Sequence, residues 1–341
     1  MYQSNGFNTL ANRVTQSIVL AYQAIAVVIF VVSLFSAYAW LNNPFIGGFF
    51  EQTFVLNGSD TRVPGKHWFL YEQGFKLGDQ LVSVNGLPIA TARGLRDALA
   101  TLKVGQTVPI VIRTLEGEAR TVDVPLKPFP AADQISYFLI PAFLSLVFLI
   151  LSLWIFGLRR TEPAGRAFSM MTTSLAIIIG SLFDLYTSHH FTYIWTLAVA
   201  LSGGALIGLG LSFPQEARIV FGRPYLRWVG YAAGAVLAVS AFLKLYDFEN
   251  PTAYIDAWRT IYIFVGLAGL FYFGALANRA FLSLSPVVKN QARAILIGAL
   301  IAFVPVVFWY CIPRSEVVLI RQQTRFRLIH TCSSSLFSFH W

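Results

Sequence analysis

Charged side chains are scarce in this chain: Asp, Glu, Lys and Arg make up 12% of its 341 residues, against 56% hydrophobic and 15% aromatic. Soluble domains carry roughly 25% charged residues, so about half of the usual solubilising charge is missing and the chain as a whole is no ordinary water-soluble globule. Cysteine is rarer still. Cys311 and Cys332 are too few for a disulfide framework and match no metal-ligand spacing. No apolar run carries the His-Glu-x-x-His with which an intramembrane zinc protease holds its metal and supplies a base. A Gly-x-Ser-x-Gly nucleophile turn and a phosphate-cradling GxxxxGK[ST] loop are missing as well. These absences point away from an enzyme, a metal site or a cofactor. The formal charge of +9 is spread through short loops rather than gathered on one face, which argues against nucleic acid as a partner.

What the chain does have is long apolar runs. Seven, near 17–41, 135–158, 167–188, 191–213, 229–247, 260–281 and 294–311, approach the ~20 residues needed to cross a bilayer. The first follows a single cation, Arg13, and leads into Asn42-Asn43-Pro44 without a small-residue cleavage site, so it reads as a retained anchor rather than a signal peptide. Arg159, Arg160, Arg166, Arg218, Arg223, Arg227, Arg279, Lys289 and Arg293 fall in alternate short loops, whereas the other loops offer only Lys244 and Arg259. That bias predicts a cytoplasmic N-terminus and an extracytoplasmic segment 42–133. Asp184, Lys244 and Arg259 lie near the expected outer ends, where boundary roles suffice. His189 and His190, beside Asp184, are adjacent and would point to different sides of a helix, so they read as a wet loop rather than a metal site. Gly204 with Gly208, and Gly230 with Gly234, are spaced for close helix packing.

The tail breaks the pattern. After residue 311 the composition shifts to Arg, Gln, Ser and Cys, with Arg314, Arg321, Arg325 and Arg327 against a lone Glu316, on the side expected to be outside. Segment 312–341 therefore reads as out-of-frame or truncated coding sequence in place of an eighth span. The alternative is a genuine peripheral tail.

One stretch outside the apolar runs has the grammar of a small soluble domain. GFKLGDQLVSVNGLPI, residues 74–89, holds a Gly-Asp turn, an alternating strand at Gln80–Val84 and an Asn85-Gly86 reversal suited to positive φ angles. Thr91–Leu102 then fits an amphipathic helix, with Leu95, Ala98, Leu99 and Leu102 on one face. Two alternating strands, Val108–Arg113 and Ala119–Val124, follow around Glu116-Gly117-Glu118. This series resembles a PDZ domain of the bacterial, circularly permuted kind. The resemblance implies that a peptide or protein C-terminus is bound as an added strand on a sheet edge, its carboxylate held by backbone N–H groups. It also implies a Gly-hydrophobic carboxylate loop, for which Gly47, Gly48, Phe49 and Phe50 are the candidates, and a helix wall of Leu95, Ala98 and Leu99. Two alternatives stay open: Phe49 and Phe50 as membrane-proximal packing, and Leu95 and Leu99 as plain core.

One anchor, an external PDZ-like domain and a block of further spans are together similar to the sensor half of multi-pass bacterial sensor histidine kinases, including peptide-sensing quorum receptors. Phe213-Pro214-Gln215-Glu216 and Asn290-Gln291-Ala292-Arg293 resemble short motifs of those blocks. Nothing after residue 311 resembles the phosphoacceptor helix pair or the ATP site of such kinases, so kinase output is not expected. The expectation is a mostly α-helical multi-pass membrane protein of about seven spans with one small inserted α+β domain. Its parts are an N-terminus and anchor (1–41), an extracytoplasmic PDZ-like domain (42–130), a six-span block (131–311) and the basic tail (312–341). Its function is expected to be that of a bacterial inner-membrane sensor for a peptide or protein C-terminus. The resemblance to kinases, which act as dimers, makes it a possible homodimer. The alternative is a PDZ scaffold in the lipid bilayer that recruits envelope proteins without signalling.

Overall fold

The computed structural model describes residues 4–58, 61 and 66–311; the basic tail, with the frame-shift reading placed on it, lies outside the described residues. The chain is mostly helical, with a small β region. Helix α1 (Ser4–Leu41) leads to the hairpin strands β1 (Phe49–Phe50) and β2 (Leu56–Gly58), then α2 (Phe69–Glu72), β3 (Gln80–Val84), β4 (Leu87–Pro88), α3 (Ala92–Ala100), β5 (Thr107–Arg113) and β6 (Ala119–Pro125). The rest is helical: α4 (Ala131–Gln134), a π-turn at Ile135–Leu139, α5 (Ile140–Arg159), α6 (Pro163–Gly180), α7 (Leu182–Thr187), α8 (Thr192–Ser212), α9 (Arg218–Gly222), α10 (Leu226–Phe242), α11 (Ala253–Leu282) and α12 (Pro286–Cys311).

Among the described residues, four stretches of helix, Asn12–Leu41, Ala131–Arg159, Thr192–Ser212 and Ala253–Leu282, are long and apolar enough to cross a membrane. Helix α10 is apolar but shorter. The run at 167–188 is not one helix. It breaks at Ser181 into α6 and α7, next to Gly180, which passes so close to Ser145 of α5 that a β-carbon there would collide with its side chain. Pro163 and Pro286 stand in the first turns of α6 and α12, where a missing N–H goes unused.

Polar groups tie α1, α5 and α6 together inside the block. Gln23 Nε2 donates to Ser152 Oγ at 2.8 Å, and Ser152 Oγ meets Thr173 Oγ1 at 2.6 Å and the Ser169 carbonyl at 2.9 Å. Tyr22 OH and Ser174 Oγ are 3.0 Å apart. Helices α8 and α10 approach at small residues. A β-carbon on Gly204 would sit 2.8 Å from Tyr231 Cα, and one on Gly234 would sit 2.6 Å from the Ala200 carbonyl oxygen. Such residues let helix backbones close up where side chains would hold them apart.

In the β region the antiparallel sheet has the order β4-β3-β5-β6, and a Val55–Gln80 bridge links the β1–β2 hairpin to it. The β3–β4 reversal places Asn85 and Gly86 at φ 49° and 77°, as a tight hairpin of right-handed twist requires. Helix α3 starts where Thr91 Oγ1 accepts the Gly94 N–H at 3.0 Å, an N-cap. Its apolar face joins Val84, Ile110, Ile112 and Val124 in the core.

A groove closed by the helical block

The space between β1 and α3 gathers five of the seven candidate residues: Gly48, Phe49, Phe50, Leu95 and Leu99 all line it. The other two stand behind it. Gly47 (φ +84°) turns toward Phe69, and Ala98 is 6% exposed within the β core. Phe49 and Phe50 touch the same space but their rings part company, because successive strand side chains point to opposite faces. Phe50 joins the β core. Phe49 enters an aromatic cluster with Trp40, Phe45, Trp68, Phe129, Tyr137, Phe183 and Tyr186, which sits where α1 and the helical block meet the β domain. Leu99 is buried and Leu95 half-buried in the core they share.

The remaining side of the groove comes from the helical block. Tyr186, Thr187 and His189, at the α7–α8 turn, complete the lining, and the space left is about 30 Å³. That is roughly the volume of one water molecule in the liquid, against roughly 300–1,000 Å³ for ligand pockets. The closing turn is itself well held. Asp184 accepts the main-chain N–H of Phe191 at 2.9 Å and of His190 at 3.3 Å, and the His190 ring lies 3.2 Å away. His189 takes the left-handed conformation (φ 58°), and its buried ring lies against the main chain of Phe50 and Leu185. Burial holds its imidazole well below the ordinary value, at about 4, despite the opposing pull of Asp184.

A second contact was not visible in the sequence. Glu51, Gln52 and Thr53, at the β1–β2 turn, are 3%, 1% and 0% exposed, because this turn inserts into the helical block. Thr53 Oγ1 donates to the Pro251 carbonyl at 2.7 Å, and Phe54 stacks on Phe248. Glu51 lies within electrostatic range of Tyr246, Tyr254 and Tyr262. One of its carboxyl oxygens accepts from Asn57, while the other, and both amide atoms of Gln52, are buried without a partner. Burial pushes the Glu51 carboxyl up to about 8, so at neutral pH it is largely protonated. The only sequence signal here was three polar residues after an apolar run, which reads as a solvated turn.

Among the described residues, no group of three or more His, Cys, Asp or Glu is placed to hold a metal ion. Comparison with protein-family models, curated proteins and solved structures yields no match for this chain. The groove offers a sheet edge on β1 and an apolar helix wall on α3, covered by the α7–α8 turn.

Proposed function

We propose that the chain is the input module of a membrane receptor, in which a PDZ-like extracytoplasmic domain binds a peptide or protein C-terminus and reports it to a helical block of about seven spans. In this reading the N-terminus is cytoplasmic, the cell membrane is bacterial, and the module acts through a partner or a second copy. The observation that carries the proposal is the shared groove. Two of its walls belong to the β domain (Phe50 on β1, Leu95 and Leu99 on α3) and the plug belongs to the helical block (Tyr186, Thr187 and His189). A ligand that takes the edge of β1 must displace the α7–α8 turn, so it binds the docked and undocked arrangements with different affinity. That difference is what any ligand-driven shift of state requires.

The test is binding of a library of peptides with free C-termini to the full-length chain in lipid nanodiscs, beside the same peptides amidated. Selective capture of free carboxylates, lost in Leu95→Asp, supports a PDZ-type groove. Equal capture of amidated peptides, or capture that survives Leu95→Asp in a folded domain, overturns it.

A further inference from the structure

At the far end of the helical block, roughly 40 Å along α1 from the β domain, a cavity of about 800 Å³ opens among α1, α6, α8 and α10. Most of its wall is apolar or aromatic, with Val19, Met170 and Trp228 among its lining, but two guanidinium groups share it: Arg166 and Arg227. Arg166 is 6% exposed. It donates to Asn12 Oδ1 at 3.3 Å and to the carbonyls of Arg160 and Thr161 at 3.1 Å each, none of which carries charge. Arg227 pairs with Glu216 from outside the cavity, yet its Nε is buried without an acceptor. The two guanidiniums are close enough to repel each other, and among the described residues no carboxylate lines the cavity.

Two cations, one counter-ion and an orphaned N–H donor leave an excess positive charge at the wall of an apolar chamber. Such a charge is costly unless an anion covers it. A small inorganic anion would satisfy the guanidiniums but leave the apolar volume unfilled, and a neutral lipid would fill the volume but leave the charge uncovered. An amphiphile with an anionic head does both. From this we infer that the cavity is a binding site for an acidic phospholipid, its phosphate on the Arg227 and Arg166 edge and an acyl chain along the apolar wall. The site is separate from the groove and does not depend on the function proposed for it.

The experiment is thermal unfolding of the full-length chain in mild detergent with added dioleoyl phosphatidylglycerol, dioleoyl phosphatidylcholine or inorganic phosphate, together with native mass spectrometry of the lipid retained. Phosphatidylglycerol is expected to raise Tm and to remain at one per chain, while phosphatidylcholine does neither. Arg227→Gln should weaken retention by about ten-fold or more, the usual scale for losing one charge-assisted hydrogen bond. Gly208→Leu provides a second variant. A β-carbon at Gly208 would meet Ala167 Cβ at 3.4 Å and Tyr231 OH at 3.5 Å, ordinary contacts, so the larger side chain can grow into the cavity and block the acyl chain without removing charge. Equal retention of phosphatidylcholine, or phosphatidylglycerol retention unchanged in a folded Gly208→Leu or Arg227→Gln protein, overturns the proposal. An equal Tm shift with inorganic phosphate alone would make this a free-anion site and also overturn it.

Discussion

Phe49 of β1 stacks on Tyr186 of α7 with ring centroids 5.3 Å apart and planes 16° from parallel. The contact joins a strand of the β domain to a helix of the block, and it stands beside the groove that the same helix end closes. Removing the Tyr186 ring therefore has two consequences that simple damage would not combine. Tyr186→Ala should weaken docking by about 1–3 kcal/mol, the scale of a lost aromatic pair plus part of its burial. It should also raise affinity for free-C-terminal peptides by about ten-fold. Peptide titration together with limited proteolysis near residues 183–191 checks both. A variant that is easier to cleave but binds no better would mean that the plug is structural.

The two leucines of the helix wall should part under the same substitution. Leu99 is 7% exposed within the β core, while Leu95 only packs against that core. Burying an uncompensated carboxylate is costly, so Leu99→Asp should unfold the β domain, which hydrogen exchange would show as lost protection of β3 and β5. Leu95→Asp should leave that protection in place and abolish peptide capture. Only the second variant reports on the groove.

Docking of the β domain should depend on pH through Glu51 and His189, in opposite directions. Burial raises Glu51 from 4.5 to about 8, so its contribution is complete below pH 4.5 and is lost as pH rises through 8. Burial lowers His189 from 6.5 to about 4, so its contribution is complete above pH 6.5 and is lost as pH falls through 4. Between 4.5 and 6.5 the docked form holds one extra proton on Glu51 and the undocked form one on His189, and the two cancel. Docking should be firmest on that plateau and weaken by about 2 kcal/mol between pH 6.5 and 8. Glu51→Gln should flatten the alkaline limb. Exchange rates of the β1–β2 turn across pH 4–9 measure it, and an alkaline limb that persists in Glu51→Gln would remove Glu51 as its source.

Inside the block, the Gln23–Ser152–Thr173 contact predicts an asymmetry. Ser152→Ala leaves Gln23 Nε2 without its buried acceptor and should cost about 1–3 kcal/mol. Gln23→Leu removes an amide whose Oε1 already lacks a partner, and Ser152 keeps Thr173 and the Ser169 carbonyl. It should be neutral or stabilising. Thermal unfolding of the two variants in the same detergent decides it.

Local pattern made much of this architecture legible. The alternation at 80–84 and the Asn85-Gly86 pair correspond to β3 and its hairpin, and the 3.6-residue spacing of Leu95, Ala98 and Leu99 to α3 and its apolar face, with Leu102 packing on the same core just past the helix end. Hydropathy alone could not show the break at Ser181, because the apolar run continues across it. Phe49 and Phe50 both line the groove, but their rings enter different clusters, because adjacent strand residues point to opposite faces. Glu51, Gln52 and Thr53 were illegible for a different reason. Polar residues at a turn are ordinarily solvated, and only the tertiary contact with Pro251 and Phe248 shows that these are not.

Whether the groove signals or merely recruits turns on what happens at the other end of the helices. In the receptor reading, ligand entry would displace the α7–α8 turn, and α8 runs from that turn to Ser212, packed against α10 and α11. A receptor should transmit the displacement as a change in how the 159–166 and 218–227 loops face each other. Single cysteines at Arg160 and Arg223, with Cys311 and Cys332 replaced by Ser, place reporters on those loops. Adding a captured peptide should change their cross-linking yield by about two-fold or more in a receptor, since a shift between populated states changes the yield in proportion to occupancy. The Leu95→Asp background should abolish the change. If peptide binds at full occupancy and cross-linking stays constant, the helical block does not respond and the domain is a recruiting scaffold. The acidic-lipid site would be unaffected by that result, because its residues lie among α1, α6, α8 and α10 at the end away from the groove.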